Sequence, residues 1–247
     1  MVATAADGDL AGAQPAWFTA PGGARLQLWP HKAAFDPALG LLLVADAHLG
    51  KAVSFRQLGV PVPEATTGAA LARLDALVAA TAATGIVFLG DLLHSARAHA
   101  PATMAAVVAW RARHAALELT LVRGNHDAHA GDPPAALGVR VVDGPLHIGP
   151  WALLHQPADL AGAYALAGHV HPGVLLGGRG RDRLRLPCFH FGARCGVLPA
   201  FGPFTGLHVL PGGPQVQQFV VGAGVVQALP VQRADRAGAG HDAAPAT

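Results

Sequence analysis

Five short, largely apolar runs in this chain end on the same few polar residue types. Leu41–Ala45 (LLLVA) leads into Asp46-Ala47-His48, and Ile86–Leu89 (IVFL) into Gly90-Asp91. Leu117–Val122 (LELTLV) is followed, after Arg123, by Gly124-Asn125-His126-Asp127. Trp151–Leu154 (WALL) meets His155, and Tyr164–Ala167 (YALA) meets Gly168-His169-Val170-His171. Runs of this length and content read as buried strands. In open α/β sheets the site lies beyond the carboxyl ends of the strands, so a fold that satisfies all five runs brings five polar clusters to one edge. Each cluster alone is weak evidence; all five in this order are strong.

The cluster RGNHD tests the bland alternative. A turn explains Gly124 and Asn125, since both tolerate positive φ, and a polar loop would accommodate Asp127. Neither explains His126. Histidine is abundant throughout, with 14 in a chain that holds two Met and one Tyr, and it is the commonest metal ligand.

Between the strands the pattern is helical. Residues 64–84 carry Leu71, Leu74, Leu77 and Val78 at helical spacing and stop before Gly85. Pro101–Ala116 is a second helix, with Pro101 suited to its first turn. Asp132-Pro133-Pro134 reads as a further helix start. Beyond it come short strands: Val139–Val142, the WALL and YALA runs, Leu184–Leu186, Gly206–Leu210 and Gln215–Val221. Strand–helix repeats followed mostly by strands predict an α/β fold, a two-sheet sandwich flanked by helices. One domain over residues 15–229 is expected, with a flexible start at 1–14 and a disordered Ala-, Gly- and Pro-rich tail at 230–247.

Composition excludes several classes. With 52% hydrophobic and 13% charged residues, the chain is globular, not disordered. No charge-free apolar stretch reaches the roughly 18 residues of a membrane helix, and the first residues lack the basic start and apolar core of a secretory signal. Cys188 and Cys195 form neither a zinc spacing nor a disulfide framework, so a reducing cytoplasm is the expected compartment. Two familiar phosphate and ester motifs fail. Gly50-Lys51 lacks the rest of a P-loop, and neither serine, Ser54 nor Ser95, sits in a G-x-S-x-G elbow.

Carboxylate, imidazole and amide oxygen without thiolate suit a hard-to-borderline divalent metal pair. Residues two apart on an extended chain face the same way. On that geometry Asp46 and His48 grip one ion, and His169 and His171 supply one ligand to each of two. A carboxylate such as Asp91 bridges ions about 3.5–4 Å apart. Asn125 is a neutral ligand that preserves surplus positive charge for an anionic substrate, and His126 is left for chemistry.

The order D-x-H, GD, GNHD, H, GHxH resembles that of the calcineurin-like metallophosphoesterases, over the chain from about Leu26 to Val221. The resemblance implies a two-sheet fold flanked by helices and a divalent metal pair, Mn2+ first with Zn2+ or Fe2+ as alternatives. One ion would take Asp46, His48, Asp91 and His171, and the other Asp91, Asn125, His155 and His169, with His126 as general acid. The stretches DAHLGKAVSFRQLGVPVPEATT, GDLLHS and LPAFGPFTG are similar to the ligase-associated DNA-damage-response phosphoesterases, a bacterial group of endonucleases. GDLLH is also similar to a segment of the nuclease subunit of double-strand-break repair complexes. Ala47 stands where that ligase-associated group leads one to expect Leu, but it is not a ligand. The group implies DNA as substrate and a setting beside an ATP-dependent DNA ligase and a helicase.

Of the nine histidines outside the constellation, His94 alone is singled out, by resemblance, as a second-layer or substrate-side residue. Arg56 reads equally as a phosphate contact or a surface charge, and Lys51 somewhat more readily as a surface charge. Arg56, Arg97, Arg123 and Arg194 are expected near the metals, where a DNA track would use them. Three function classes follow: a metal-dependent DNA nuclease, a phosphohydrolase of a small nucleotide or lipid-linked pyrophosphate, and a silent scaffold. The scaffold needs lost ligands, and all seven are present.

Overall fold

The computed structural model describes residues 13–62, 66–178 and 182–231. The expected flexible start and disordered tail fall almost wholly outside them, as does the beginning of the helix expected from residue 64. Seven strands form the first sheet in sequence order: β1 (Ala16–Thr19), β2 (Arg25–Trp29), β3 (Ala33–Asp36), β4 (Leu41–Val44), β5 (Gly85–Leu89), β6 (Glu118–Val122) and β7 (Val139–Val142). β1 to β4 form an antiparallel meander, and β4 to β7 are parallel. Parallel neighbours need crossovers, and α2 (Thr66–Thr81) and α3 (Pro101–Arg113) provide two of them. Two shorter helices, α1 (Lys51–Gln57) and α4 (Asn125–Ala130), follow β4 and β6 directly.

The second sheet has nine strands: β8 (Leu146–Ile148), β9 (Trp151–Leu153), β10 (Tyr164–Ala167), β11 (Pro172–Gly177), β12 (Arg183–Phe191), β13 (Cys195–Val197), β14 (His208–Val209), β15 (Gln217–Gly222) and β16 (Val225–Ala228). β9, β10 and β13 are parallel neighbours, so β9 and β10 also direct their carboxyl ends one way.

Strand alternation divides the core in two. Leu42, Val44, Ile86, Phe88, Leu119 and Leu121 face the helices, where they meet Leu71, Leu74, Leu77, Val107 and Trp110. Leu41, Leu43, Ala45, Val87, Leu89 and Val122 face the second sheet, against Trp151, Leu153, Leu166, Phe189 and Phe191. Asp36 ties the sheets together. Its buried carboxylate accepts from Trp151 Nε1 at 2.7 Å between the sheets and from the Ala38 and Leu39 amides of the following turn.

The mixed α/β fold of two sheets flanked by helices is therefore as expected, with local differences. The meander β1–β3 escapes a periodicity reading because Gly22-Gly23 and His31-Lys32 break it into four- and five-residue pieces. The start after Pro133-Pro134 makes one 3-10 turn, Ala135–Leu137, stopped by Gly138 at φ 61°. The stretch Gly206–Leu210 keeps two strand residues. RGNHD is not a loop: Asn125 opens α4. No helix among the described residues is long and apolar enough to cross a membrane.

Candidate metal centre

The loops after β4 and β5 continue side by side past the sheet. His48 N–H donates to Asp91 O at 2.8 Å, Leu49 N–H to Leu92 O at 2.8 Å, and His94 N–H to Leu49 O at 3.1 Å. Their polar residues do not use the extended geometry that spacing alone suggests. Asp46, His48, Asp91, His169 and His171 sit at φ 51°, 46°, 52°, 68° and 53°. Left-handed backbone is disfavoured by roughly 1–2 kcal/mol per residue. Nine non-glycine residues have it among those described, and five are candidate ligands. Each pair two apart is thus aimed by backbone kinks, not by strand alternation. Strain of this kind concentrates at functional sites.

Two sets of side chains result. In the first, Asp46, His48 and His171 bring ligand atoms within 4.8 Å of one another. His171 Nε2 lies 3.7 Å from Asp46 Oδ1, and His48 Nε2 lies 3.9 Å from Asp91 Oδ2. In the second, Asn125 Oδ1 is 2.8 Å from His155 Nε2 and 3.0 Å from His169 Nδ1, and those two nitrogens are 3.1 Å apart. Ligands held about 2.1 Å from one ion stand about 3.0–3.4 Å apart, so this triangle has the dimensions of a coordination face. His155 Nδ1 donates to Leu89 O at 3.0 Å, which leaves Nε2 as the free lone pair. Asp46 Oδ1 also lies 3.9 Å from His155, but from that committed Nδ1. Asp91 Oδ1 faces the free Nε2 at 3.6 Å. Asp91 is thereby the carboxylate with one oxygen toward each set.

The sets differ in exposure. Asp46, His48, Asp91 and His155 are buried, whereas Asn125 and His169 are exposed. Burial, aided by the nearby Lys51 charge, lowers the His48 pKa to about 2, and the same causes lower that of His94 to about 4. Burial, then His155, lowers that of His169. These imidazoles are neutral and present lone pairs. The buried Nδ1 atoms of His48 and His94 meet no hydrogen-bond partner. Converging lone pairs, two buried carboxylates and neutral imidazoles fit the binding of divalent metal.

Backbone spacing makes the packing possible. A Cβ on Gly124 would collide with Asp91, and one on Gly168 would lie 2.6 Å from Asp46 Oδ2. Asp127 is fully buried and accepts from the Asp91 amide at 2.7 Å, the Gly124 amide at 2.9 Å and the Leu93 amide at 3.2 Å. Burial pushes its carboxyl pKa up against the pull of those donors. It locks the Asp91 loop to the start of α4 and does not touch the His126 ring. That ring is held by His94, whose carbonyl accepts from Nδ1 at 2.9 Å, leaving Nε2 4.0 Å from Asp91 Oδ2.

The surrounding cations differ from expectation. Lys51 is not an ordinary surface charge: it is half-buried, feels the Asp46 and Asp91 carboxylates, and lies 5.7 Å over the Phe55 ring. Arg123 is tied to Asp132 and Asp143, and Arg194 donates to Leu160 O. Arg56 stands in the last turn of α1, part-exposed, and Arg97 is exposed in a 3-10 turn at Ala96–His99. LPAFGPFTG roofs the first metal loop. Phe201 N–H donates to Ala45 O at 2.8 Å and Gly202 N–H to Asp46 O at 2.9 Å, while the buried Arg73 donates to Phe201 O at 2.8 Å. Neither Lys51 nor this roof was evident from spacing: Lys51 opens α1, a seven-residue helix with no side-chain cap, and the roof is held by long-range bonds to the loop after β4 and to Arg73 of α2.

Among solved structures, the crystal structure of Pseudomonas putida nuclease MPE matches with a TM-score of 0.77 and 43% identity, over 87% of this chain and 100% of that one. This chain belongs to the metallophosphoesterase family, in its ligase-associated nuclease group. A second match, the phosphoesterase Yfce from E. coli, has 16% identity and a TM-score of 0.35 over 74% of this chain and 88% of that one, too slight to carry an argument. No family model and no curated relative matches the chain. This metallophosphoesterase is a metal-dependent enzyme of phosphodiester hydrolysis, and its clustered Asp and His side chains are able to bind metal.

Proposed function

We propose that the protein is a two-metal phosphodiesterase whose substrate is DNA. The observation that carries the two-metal reading is the Asp91 carboxylate, with one oxygen toward His48 at 3.9 Å and the other toward His155 Nε2 at 3.6 Å. Asp46, His48, Asp91 and His171 would hold the more buried ion, and Asp91, Asn125, His155 and His169 the more open one. Divalent ions in such a pair supply Lewis acidity and activate water for in-line attack on phosphorus. The nearest fit to the donor set is Mn2+, with Zn2+ or Fe2+ as alternatives.

The chain's own residues do the rest. Water adds to phosphorus and gives up one proton to solvent, the bond to the leaving oxygen breaks, and that oxygen takes a proton from Nε2 of protonated His126. The His94 carbonyl fixes the imidazole by its other nitrogen, so the donor edge faces the reacting centre without being needed as a ligand. His94 and Arg56 serve the substrate side. DNA as substrate, and a cytoplasmic setting beside an ATP-dependent DNA ligase and a helicase, rest on the family group and on the nuclease activity of the Pseudomonas putida protein.

A specific feature favours a second reading, a small nucleotide or pyrophosphate. A groove of about 360 Å³ borders Asn125 and His155, walled by Val122, Pro145, Leu154 and Leu160, and part-apolar grooves of that size take small ligands. Incubation of the Mn2+-loaded protein with plasmid DNA, single-stranded DNA and a nucleotide panel separates the two. Cleavage of DNA with slow turnover of nucleotides is the expected result; fast nucleotide or pyrophosphate hydrolysis with DNA left intact would replace the reading.

A further inference from the structure

From His126 a series of neighbouring rings continues to the LPAFGPFTG roof over the first metal loop. His126 stacks on His94 with centroids 5.0 Å apart, His94 lies 6.4 Å from Phe55, and Phe55 meets Phe204 at 6.4 Å with planes at 70°. Phe204 belongs to LPAFGPFTG and is the outermost ring, with 46% of its surface exposed. Its backbone lies at φ 57°, which is uncommon for a bulky aromatic residue. The segment is held there by the Phe201 and Gly202 bonds to the first metal loop and by Lys32 Nζ donating to Gly202 O at 3.3 Å. The left-handed backbone thus holds a ring that is about half buried against Phe55 and leaves its other half open to solvent.

We propose that Phe204 and Phe55 form a stacking wall for a nucleobase, that of the nucleotide departing on the His126 side of the cleaved phosphate. The inference rests on the nuclease reading. In-line displacement puts the attacking and leaving oxygens on opposite sides of phosphorus, and His126 protonates the leaving one, so the ring series runs along the departing nucleotide. Every base offers a π-face to such a wall, so it tolerates any sequence. Lys51, 5.7 Å over the Phe55 ring, adds positive charge beside the same nucleotide.

Base–aromatic stacking contributes about 1–3 kcal/mol, or about 5- to 150-fold. The test compares wild type, Phe204→Ala and Phe204→Trp, all Mn2+-loaded, on an oligonucleotide with one preferred cut. The same oligonucleotide is then supplied with a single abasic residue stepped across the cut. The ratio of wild-type to Phe204→Ala kcat/KM is expected at about 5–150 on the intact strand. It should fall toward one on the substrate whose abasic residue lies immediately on the leaving side, with Phe204→Trp retaining the wild-type pattern. A ratio near one on every strand, or one that no abasic position changes, overturns the wall while leaving the nuclease reading intact. Intact oligonucleotides with wild type, alongside rapid hydrolysis of a nucleotide or pyrophosphate, would overturn both.

Discussion

At the scale of single residues, two neighbours in one helix turn divide structure from chemistry. His126 has its Nδ1 engaged by the His94 carbonyl, so substitution should change proton transfer more than metal binding. His126→Asn is expected to keep metal content near wild type and to lose about 10²–10⁴ in rate on an alkoxide-leaving diester. The loss should be much smaller when the leaving group is a nitrophenolate that needs no proton. Equal losses on both substrates, measured by steady-state kinetics, would contradict the general-acid role. Asp127 serves the fold instead. Its removal leaves three buried amide donors, those of Asp91, Leu93 and Gly124, without an acceptor. Asp127→Ala should therefore destabilise by about 3 kcal/mol or more, read from urea denaturation of the metal-free protein. A change below about 1 kcal/mol would show that these bonds are replaced.

At the scale of elements, the loops after β4, β5 and β10 are usable because small residues let them approach. Gly168 precedes His169, whose amide donates to both oxygens of Asp46, at 2.9 and 3.1 Å. A Cβ there would stand 2.6 Å from Asp46 Oδ2 and 3.0 Å from Leu89 O. Gly168→Ala should displace the Asp46 carboxylate and weaken Mn2+ binding at least tenfold, the effect of about 1.4 kcal/mol, with an unchanged far-UV circular dichroism spectrum. Calorimetric titration reads the affinity, and wild-type binding would refute the close-approach argument. The strands that carry these loops were legible because LLLVA, IVFL and YALA are buried on both faces and so are apolar throughout. The candidate ligands were legible because strand ends stop being apolar there. Their aim was not: left-handed backbone at Asp46, His48, His169 and His171 leaves no periodic trace. α4 was hidden for a related reason. Six residues opened by Gly124 and reading NHDAHA look like a polar turn, because the stabilising bonds to Asp127 come from the neighbouring loop.

At the scale of the whole molecule, the site exists only where the carboxyl ends of two sheets meet. β4, β5 and β6 bring Asp46, His48, Asp91 and Asn125; β9 and β10 bring His155, His169 and His171. The sheets are joined by their shared core and by the Asp36–Trp151 bond, so a carboxylate from one sheet is positioned against imidazoles from the other. Asp91 is the residue on which that arrangement converges. The most direct measurement is metal content and Mn2+ titration of wild type, Asp91→Ala and His155→Ala. Two ions per wild-type chain are predicted, with both weakened in Asp91→Ala and chiefly one weakened in His155→Ala. Two ions at wild-type occupancy in Asp91→Ala, or one ion in wild type at saturating Mn2+, would contradict a pair bridged by Asp91.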